Sequence, residues 1–465
     1  MIHKQFRHDL RRGLGRCHQI MEHAANIEDY REDVLWGFQH AIAYDSQCEG
    51  ARAIYLVDLI DFFDDWSDFF TVAETGAKRH LKDRGGRFSH FAEILAIMSG
   101  CGYLPAYKSI RTIYELLLHE LQVGHPSKSG NWPTSDNFNL VCVTTLTNVL
   151  QTQSKRESFY LQVLTDYGKL LANRPALSSW FMDEWLDSEA EEYLGSKRVH
   201  ELLEQERGNP DITRYLENKN SLMTGRETYL NQSGQQASIE NAQSIYSKLR
   251  DNIAIKGELS LLRRISMKQG TGEIKKLAYL YAGENHESLR ESILRLFREK
   301  DCISIFEADG ISRLITDAES GSISIRNEAL RVLADIHDHQ VREYALVRLD
   351  RSPKDIPALY MLITNYQTDD KKLLISLIKS VSLNEYRGDW HEIFSRTRDL
   401  IESDKTADRD LSKALLPYMF HENYCSCCRL FLLELMQPRG LLTPELVEEC
   451  RWDCYMEIRE FVNTL

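Results

Sequence analysis

Apolar residues recur along this chain at intervals of three and four, and that periodicity restricts the fold more than any other feature. In "YKSIRTIYELLLHEL" the positions Ile113, Leu116, Leu117 and Leu121 follow the i, i+3, i+4, i+8 rule of one helix face. Strict alternation, the mark of a half-buried strand, is scarce. "LVCVTTLTNVL" is the one tempting case, and its continuation into "TNVLQTQ" suits a helix as well. Only 10 of the 465 residues are proline, well under the roughly 5% of average usage, so long helices meet few breaks. The expected fold class is all-α.

A chain of this length exceeds what one core usually holds, so it is expected to form several units or one elongated repeat array. Two polar stretches mark the boundaries. "GHPSKSGNWPTSDN" (Gly124 to Asn137) combines two prolines with turn formers, and "NQSGQQASIENAQ" (Asn231 to Gln243) has few apolar anchors. The resulting division is an N-terminal helical domain (1–124), a linker (125–137), a middle helical region (138–230), a polar connector (231–252) and a helical repeat array (253–465).

That array carries an internal pattern, apolar-Arg-x-x-apolar-apolar-x-x-apolar. It occurs at Leu289-Arg290, Ile293-Leu294 and Phe297, then at Ile325-Arg326, Ala329-Leu330 and Leu333, and again at Val341-Arg342, Ala345-Leu346 and Leu349. The first two copies lie 36 residues apart, a helix-hairpin period, while the third follows too soon to be a whole further repeat. A looser copy lies at Ala51-Arg52, Tyr55-Leu56 and Leu59. "DHQVREYALVRL" resembles the second helix of a HEAT repeat, matching it at Asp338, Val341, Arg342, Ala345 and Leu349. The resemblance, spanning about residues 272 to 380, implies an α-solenoid of stacked helical hairpins preceded by the N-terminal helical unit.

Charge narrows the class of partner. The net charge of −13 opposes a duplex-wrapping role and suits a partner with a basic face. The N-terminus lacks the apolar core of a signal peptide, and runs such as "RLFLLELM" are too short to span a membrane. Ten cysteines without an export signal read as reduced thiols, and the expected location is cytoplasmic.

Several constellations carry potential chemistry. Asp64-Asp65-Trp66-Ser67-Asp68 reads DDxxD, which resembles the magnesium-holding signature of class I terpene synthases and prenyltransferases. If the segment is one helix, Leu59, Phe62, Phe63, Trp66, Phe69 and Phe70 form its core stripe. The aspartates then lie mostly opposite, as a solvated acidic face. No Asn-Asp-x-x-Ser-x-x-x-Glu partner follows downstream. Cys425, Cys428, Cys450 and Cys454 could be brought level by a helical hairpin about Gly440 and offer four thiols to zinc. The same residues fall on apolar stripes, Cys450 and Cys454 with Val447, Ile458 and Phe461, so core packing without a cofactor is the expectation.

Two basic islands surround glycines: Lys78, Arg79, Lys82, Arg84 and Arg87, and Arg263, Arg264, Lys268, Lys275 and Lys276. Such loops can grip phosphate or an acidic partner, although neither has the Gly-Lys-Ser/Thr ending of a phosphate loop. Arg290, Arg326 and Arg342 sit beside apolar positions and are expected to pair with acids of adjacent repeats. Asp45, Glu49 and Arg52 share a helical face, at ion-pair spacing. The Arg12 and His18 pair resembles the spaced arginine and histidine of HEPN-type ribonucleases.

The function expected from these features is a non-enzymatic scaffold or adaptor that binds another protein. The alternatives are a nucleic-acid-binding or -processing protein, of the HEAT-like DNA glycosylase or nuclease type, and more remotely a terpene synthase-like enzyme. Without a convincing catalytic set, no catalytic residue, metal or cofactor is assigned.

Overall fold

The computed structural model describes residues 2–40, 42, 52–83, 86–123, 133–173, 180–220, 278–279, 281–284, 287–295, 297, 308–381, 387–403 and 409–465. These residues form helices and turns, with no strand among them. The chain divides into two compact units. The first takes Met1–Gln236 with Tyr424–Leu430 and Leu442–Leu465, and the second takes Ala237–Asn423 with Phe431–Leu441.

The first unit begins with α1 (Ile2–Arg12), α2 (Arg16–Glu22), α3 (Arg31–Gln39), α4 (Ala53–Ile60), α5 (Ser67–His80) and α6 (Gly86–Gly100). It continues with α7 (Leu104–Val123), α8 (Pro133–Thr144), α9 (Gln153–Asn173), α10 (Trp180–Leu194) and α11 (Ser196–Gln205). One apolar core runs through them from Phe6 to Tyr215. At its centre α6 packs on α4, α5, α7 and α8, so it is apolar nearly all round, with Phe88, Ala92, Ile94, Leu95, Ala96 and Met98 sealed from water. On α7 the stripe runs through Ile110, Ile113, Leu117 and Leu121, while Leu116 falls outside it at 40% exposure.

The boundary expected at 125–137 does not divide this unit. Pro133 opens α8 in its first turn, where a missing N–H breaks no helical bond, and Phe138, Val141 and Cys142 enter the same core. The N-terminal domain and middle region are therefore one unit. Residues 124–132 and the connector 231–252 lie outside the described residues. The strand-like run is helical: it completes α8 and then widens into a π-helical turn at Thr145–Val149.

The DDxxD segment is not one helix. The first helix, α4, stops at Ile60 and α5 starts at Ser67. Between them the Asp65 carboxylate accepts the Ser67 backbone N–H at 2.9 Å and its hydroxyl at 2.8 Å, a local alternative to helical hydrogen bonding.

The second unit contains α12 (Glu287–Leu294), α13 (Ala308–Ala318), α14 (Ile323–Leu333), α15 (His339–Arg351), α16 (Ile356–Thr364), α17 (Lys371–Ser380), α18 (Arg387–Ser403) and α19 (Arg409–Glu422). Caps fix where these helices begin. Asp338 accepts the Gln340 N–H ahead of α15, and Asp355 accepts the Ala358 N–H ahead of α16. Consecutive helices pack as hairpins (α13 on α14, α15 on α16), and alternate helices stack as two layers. One layer runs α12, α14, α16, α18; the other contains α13 on α15 and α17 on α19. The three pattern copies fall on α12, α14 and α15, so the first two, 36 residues apart, share a layer and the early third lies in the other. Their apolar positions Leu289, Ile293, Ile325, Ala329, Val341, Ala345 and Leu349 are buried.

Three further helices, α20 (Ser426–Met436), α21 (Pro444–Cys450) and α22 (Met456–Asn463), complete the chain. The start of α20 and all of α21 and α22 belong to the first unit, so the expected 253–465 array is not a single body.

Candidate functional site

The last 24 residues reach the first unit through two glycines of "RRGLGRC". A Cβ on Gly15 would lie 1.8 Å from the Glu449 carbonyl oxygen, and Gly13 has φ +71° with Cys454 Sγ 2.3 Å from where its Cβ would be. Bare backbone is required at both places. The Cys454 N–H donates to the Gly13 carbonyl at 2.9 Å, and Arg16 grips Glu449 with two bonds of 3.2 Å.

Three arginines are buried among the described residues of this unit. Arg429 donates to Asp453 at 2.7 Å and to the Arg12 carbonyl at 2.6 Å; Arg52 donates to the Ile42 and Tyr424 carbonyls at 3.1 and 2.6 Å. Arg12 meets His8 and lies 4.7 Å from the centre of the Tyr424 ring. Burial raises the Asp453 carboxyl above its ordinary range, against the pull of Arg429. These groups hold backbone carbonyls and one another, which is structural work.

Arg12 and His18 are therefore drawn to different surroundings. The His18 ring stacks on Trp452 at 3.5 Å and burial lowers its pKa, whereas Arg12 packs on Tyr424. Asp45 and Glu49 lie outside the described residues; among those described, Arg52 holds the Ile42 and Tyr424 carbonyls. Asp64, Asp65 and Asp68 are exposed around one cation, Arg31, which is 3.9 Å from Asp68 and donates to the Asp65 carbonyl at 3.3 Å. The Ser67 N–H holds Asp65 below the ordinary carboxylate range.

The cysteine hairpin turns about Gly440 in the left-handed conformation, and Thr443 caps α21 with Pro444 in its first turn. The stripe joining Cys450 to Cys454 is broken, however, because α21 ends at Cys450 and Asp453 instead accepts the Tyr455 N–H at 3.0 Å. Cys454 Sγ lies 3.3 Å from the Ser426 hydroxyl and accepts from Arg429 at 3.5 Å. Among the described residues, no three of Cys425, Cys428, Cys450 and Cys454 come within coordination reach of one another. Burial raises the Cys450 and Cys454 thiols and so opposes the thiolate a metal would need.

The repeat arginines divide. Arg290 donates to Asp317 at 3.0 Å and Arg342 forks onto Asp370 at 3.0 and 2.7 Å, partners 27 and 28 residues further on. Arg326 is half-buried on α14. The basic island at 78–87 is likewise dispersed. Lys78 pairs with Glu74 at 3.0 Å and Lys82 with Glu120 at 2.8 Å, Arg79 is exposed, and Arg84 lies outside the described residues. Arg263, Arg264, Lys268, Lys275 and Lys276 also lie outside them.

Arg87 of that island lines a cavity. The pocket, about 330 Å³, is bounded by Arg11 of α1, Trp36 and Gln39 of α3, His40, Ile42, His80 of α5, and Arg87 and Phe91 of α6. His40 stacks on Trp36 at 4.6 Å and His80 on Phe91 at 5.8 Å. His40 Nδ1 donates to the Trp36 carbonyl at 2.8 Å, and His80 Nδ1 lies 2.6 Å from Asp83. Sequence reading reached Arg87 and missed the rest. The available signal was the i, i+4 pair Trp36–His40 and the lack of any acid three or four places from Arg11.

No protein-family model and no curated protein matches the chain.

Proposed function

We propose that the chain is a scaffold or adaptor that binds another protein, with a HEAT-like α-solenoid in its second unit as the binding surface. The observation that carries this reading is the two-layer order of α12 to α19, in which side chains 27 and 28 residues apart bridge one hairpin to the next. Such a stack buries its helices against one another and presents a regular outer row. On α15 that row is Gln340, Glu343, Val347 and Asp350, with Val347 48% exposed; on α17 Leu373 is 40% exposed. On α15 the apolar side chain lies between acids, which suits a partner that offers an apolar anchor within a basic face. A cytoplasmic location belongs to the same proposal, and no helix among the described residues is long and apolar enough to cross a membrane.

Photo-crosslinking amino acids at positions 347 and 373, introduced in the cell that makes the protein, test it. Discrete protein adducts are expected from both, and not from position 197, a side chain 93% exposed in the first unit. Identical adducts from all three positions, or adducts removed by nuclease, would reject the reading.

A further inference from the structure

Arg11 and Arg87 stand out in a chain of net charge −13, because among the described residues neither has a carboxylate partner. Other cations of the first unit are paired with acids: Lys78 with Glu74, Lys82 with Glu120 and Arg16 with Glu449. These two arginines line the same recess, and the described residues of its lining include no acid. The carboxylate nearest Arg87 in sequence, Asp83, is held by His80 at 2.6 Å, and Asp9, nearest Arg11, accepts from Gln5 at 2.9 Å.

The histidines complete the set. A carbonyl and a carboxylate can only accept, so Nδ1 of both His40 and His80 carries the proton. Nε2 is then the atom each ring has left for a ligand, and it becomes a donor when the ring is protonated. Stacking on Trp36 and Phe91 fixes both imidazole planes, so little freedom is lost on binding.

We propose that this pocket binds a small phosphomonoester of the size of a sugar phosphate or a nucleoside monophosphate. Guanidinium groups match phosphate oxygens in charge and in fork geometry. A volume of about 330 Å³ lies at the lower end of the range for small-molecule sites and far exceeds a bare phosphate ion. The bodies of Trp36, Ile42 and Phe91 supply apolar wall for the remainder of the ligand. This site is independent of the protein-binding surface proposed above.

Calorimetric titration of the full chain with inorganic phosphate, ribose 5-phosphate and adenosine 5′-monophosphate, at low ionic strength, tests the proposal. Adenosine and ribose serve as uncharged controls, and a 5′-phosphorylated oligonucleotide as the macromolecular rival. The expected result is binding of at least one small phosphomonoester, tighter than inorganic phosphate, with no binding of the uncharged controls. Arg87→Gln should weaken it at least tenfold while melting like the parent, since Arg87 is exposed and makes no ion pair among the described residues. Arg11→Gln should weaken it similarly, and the double variant should abolish it. Absence of binding by every phosphomonoester, unchanged affinity in both single variants, or binding confined to the oligonucleotide would overturn the proposal.

Discussion

Arg429 and Asp453, 24 residues apart and each 0–1% exposed, form an ion pair of 2.7 Å inside the first unit. Charges removed from water to this degree gain from their partner only about what desolvation costs them, so the pair contributes little net stability but is costly to break. Asp453→Ala leaves the Arg429 guanidinium buried opposite a void. It is expected to destabilise the unit by about 3–5 kcal/mol in denaturant titration. Replacing both partners, Arg429→Met with Asp453→Leu, should recover much of that loss. A single variant that unfolds at the parental midpoint would show that the pair does not hold α20 to the terminal turn.

The close approach at Gly15 makes a second prediction. Its absent Cβ is what admits the Glu449 carbonyl, and that carbonyl is backbone, which cannot swing aside as a side chain would. Gly15→Ala is expected to cost about 1–3 kcal/mol by forcing α2 and α21 apart. The same change at Gly440, where nothing lies within 4 Å, leaves only the strain of φ +64° and should cost less. Equal losses at the two positions would remove the close-packing argument.

The contrast between these features explains what the sequence could disclose. The register of α15 was legible because it is local: Asp338 caps it and Val341, Ala345 and Leu349 recur at helical spacing. The class of partner for Arg342 was legible too, an acid of a neighbouring hairpin, although Asp370 itself was not. The union of Arg12 with Arg429 was hidden, since helical periodicity carries no information about segments 417 residues apart. The break after Cys450 was hidden for a related reason. Cys454 continues the apolar spacing of α21, and the contacts that accompany the break, Asp453 with Arg429 and the Cys454 N–H with the Gly13 carbonyl, lie far away in sequence. The pocket drew its lining from α1, α3, α5 and α6, so one basic island showed only a single member of it.

Arg342 gives a third test. Its side chain is 13% exposed and forks onto Asp370, itself 6% exposed, while its stem lies beside the buried Val341 and Ala345. Arg342→Ala should lower stability by about 1–2 kcal/mol, through lost packing as well as the lost charge-assisted bonds. Asp370 also accepts the Gln367 N–H at 2.9 Å, so Asp370→Ala should cost at least as much. Arg342→Ala with the parental melting temperature would show that the fork contributes nothing to the stack.

The last prediction concerns acid. His90 is 2% exposed, donates from Nε2 to the Phe38 carbonyl at 3.0 Å and has Phe91 edge-on at 5.1 Å. Burial, aided by the nearby His40, pushes its pKa down to about 4. The folded state thus binds the proton less readily than the unfolded chain, whose histidines titrate near 6.5. Stability from this residue is complete above 6.5 and is lost as pH falls toward 4, because only the unfolded chain takes up the proton in that window. Between pH 7 and pH 5 the loss should be about 2 kcal/mol. Denaturant titrations of the parent and of His90→Gln at those two pH values isolate it, since shared carboxylate effects cancel in the comparison. The variant should be less stable at pH 7 yet lose about 2 kcal/mol less on acidification. Parallel losses in the two proteins would mean that His90 takes up its proton without unfolding.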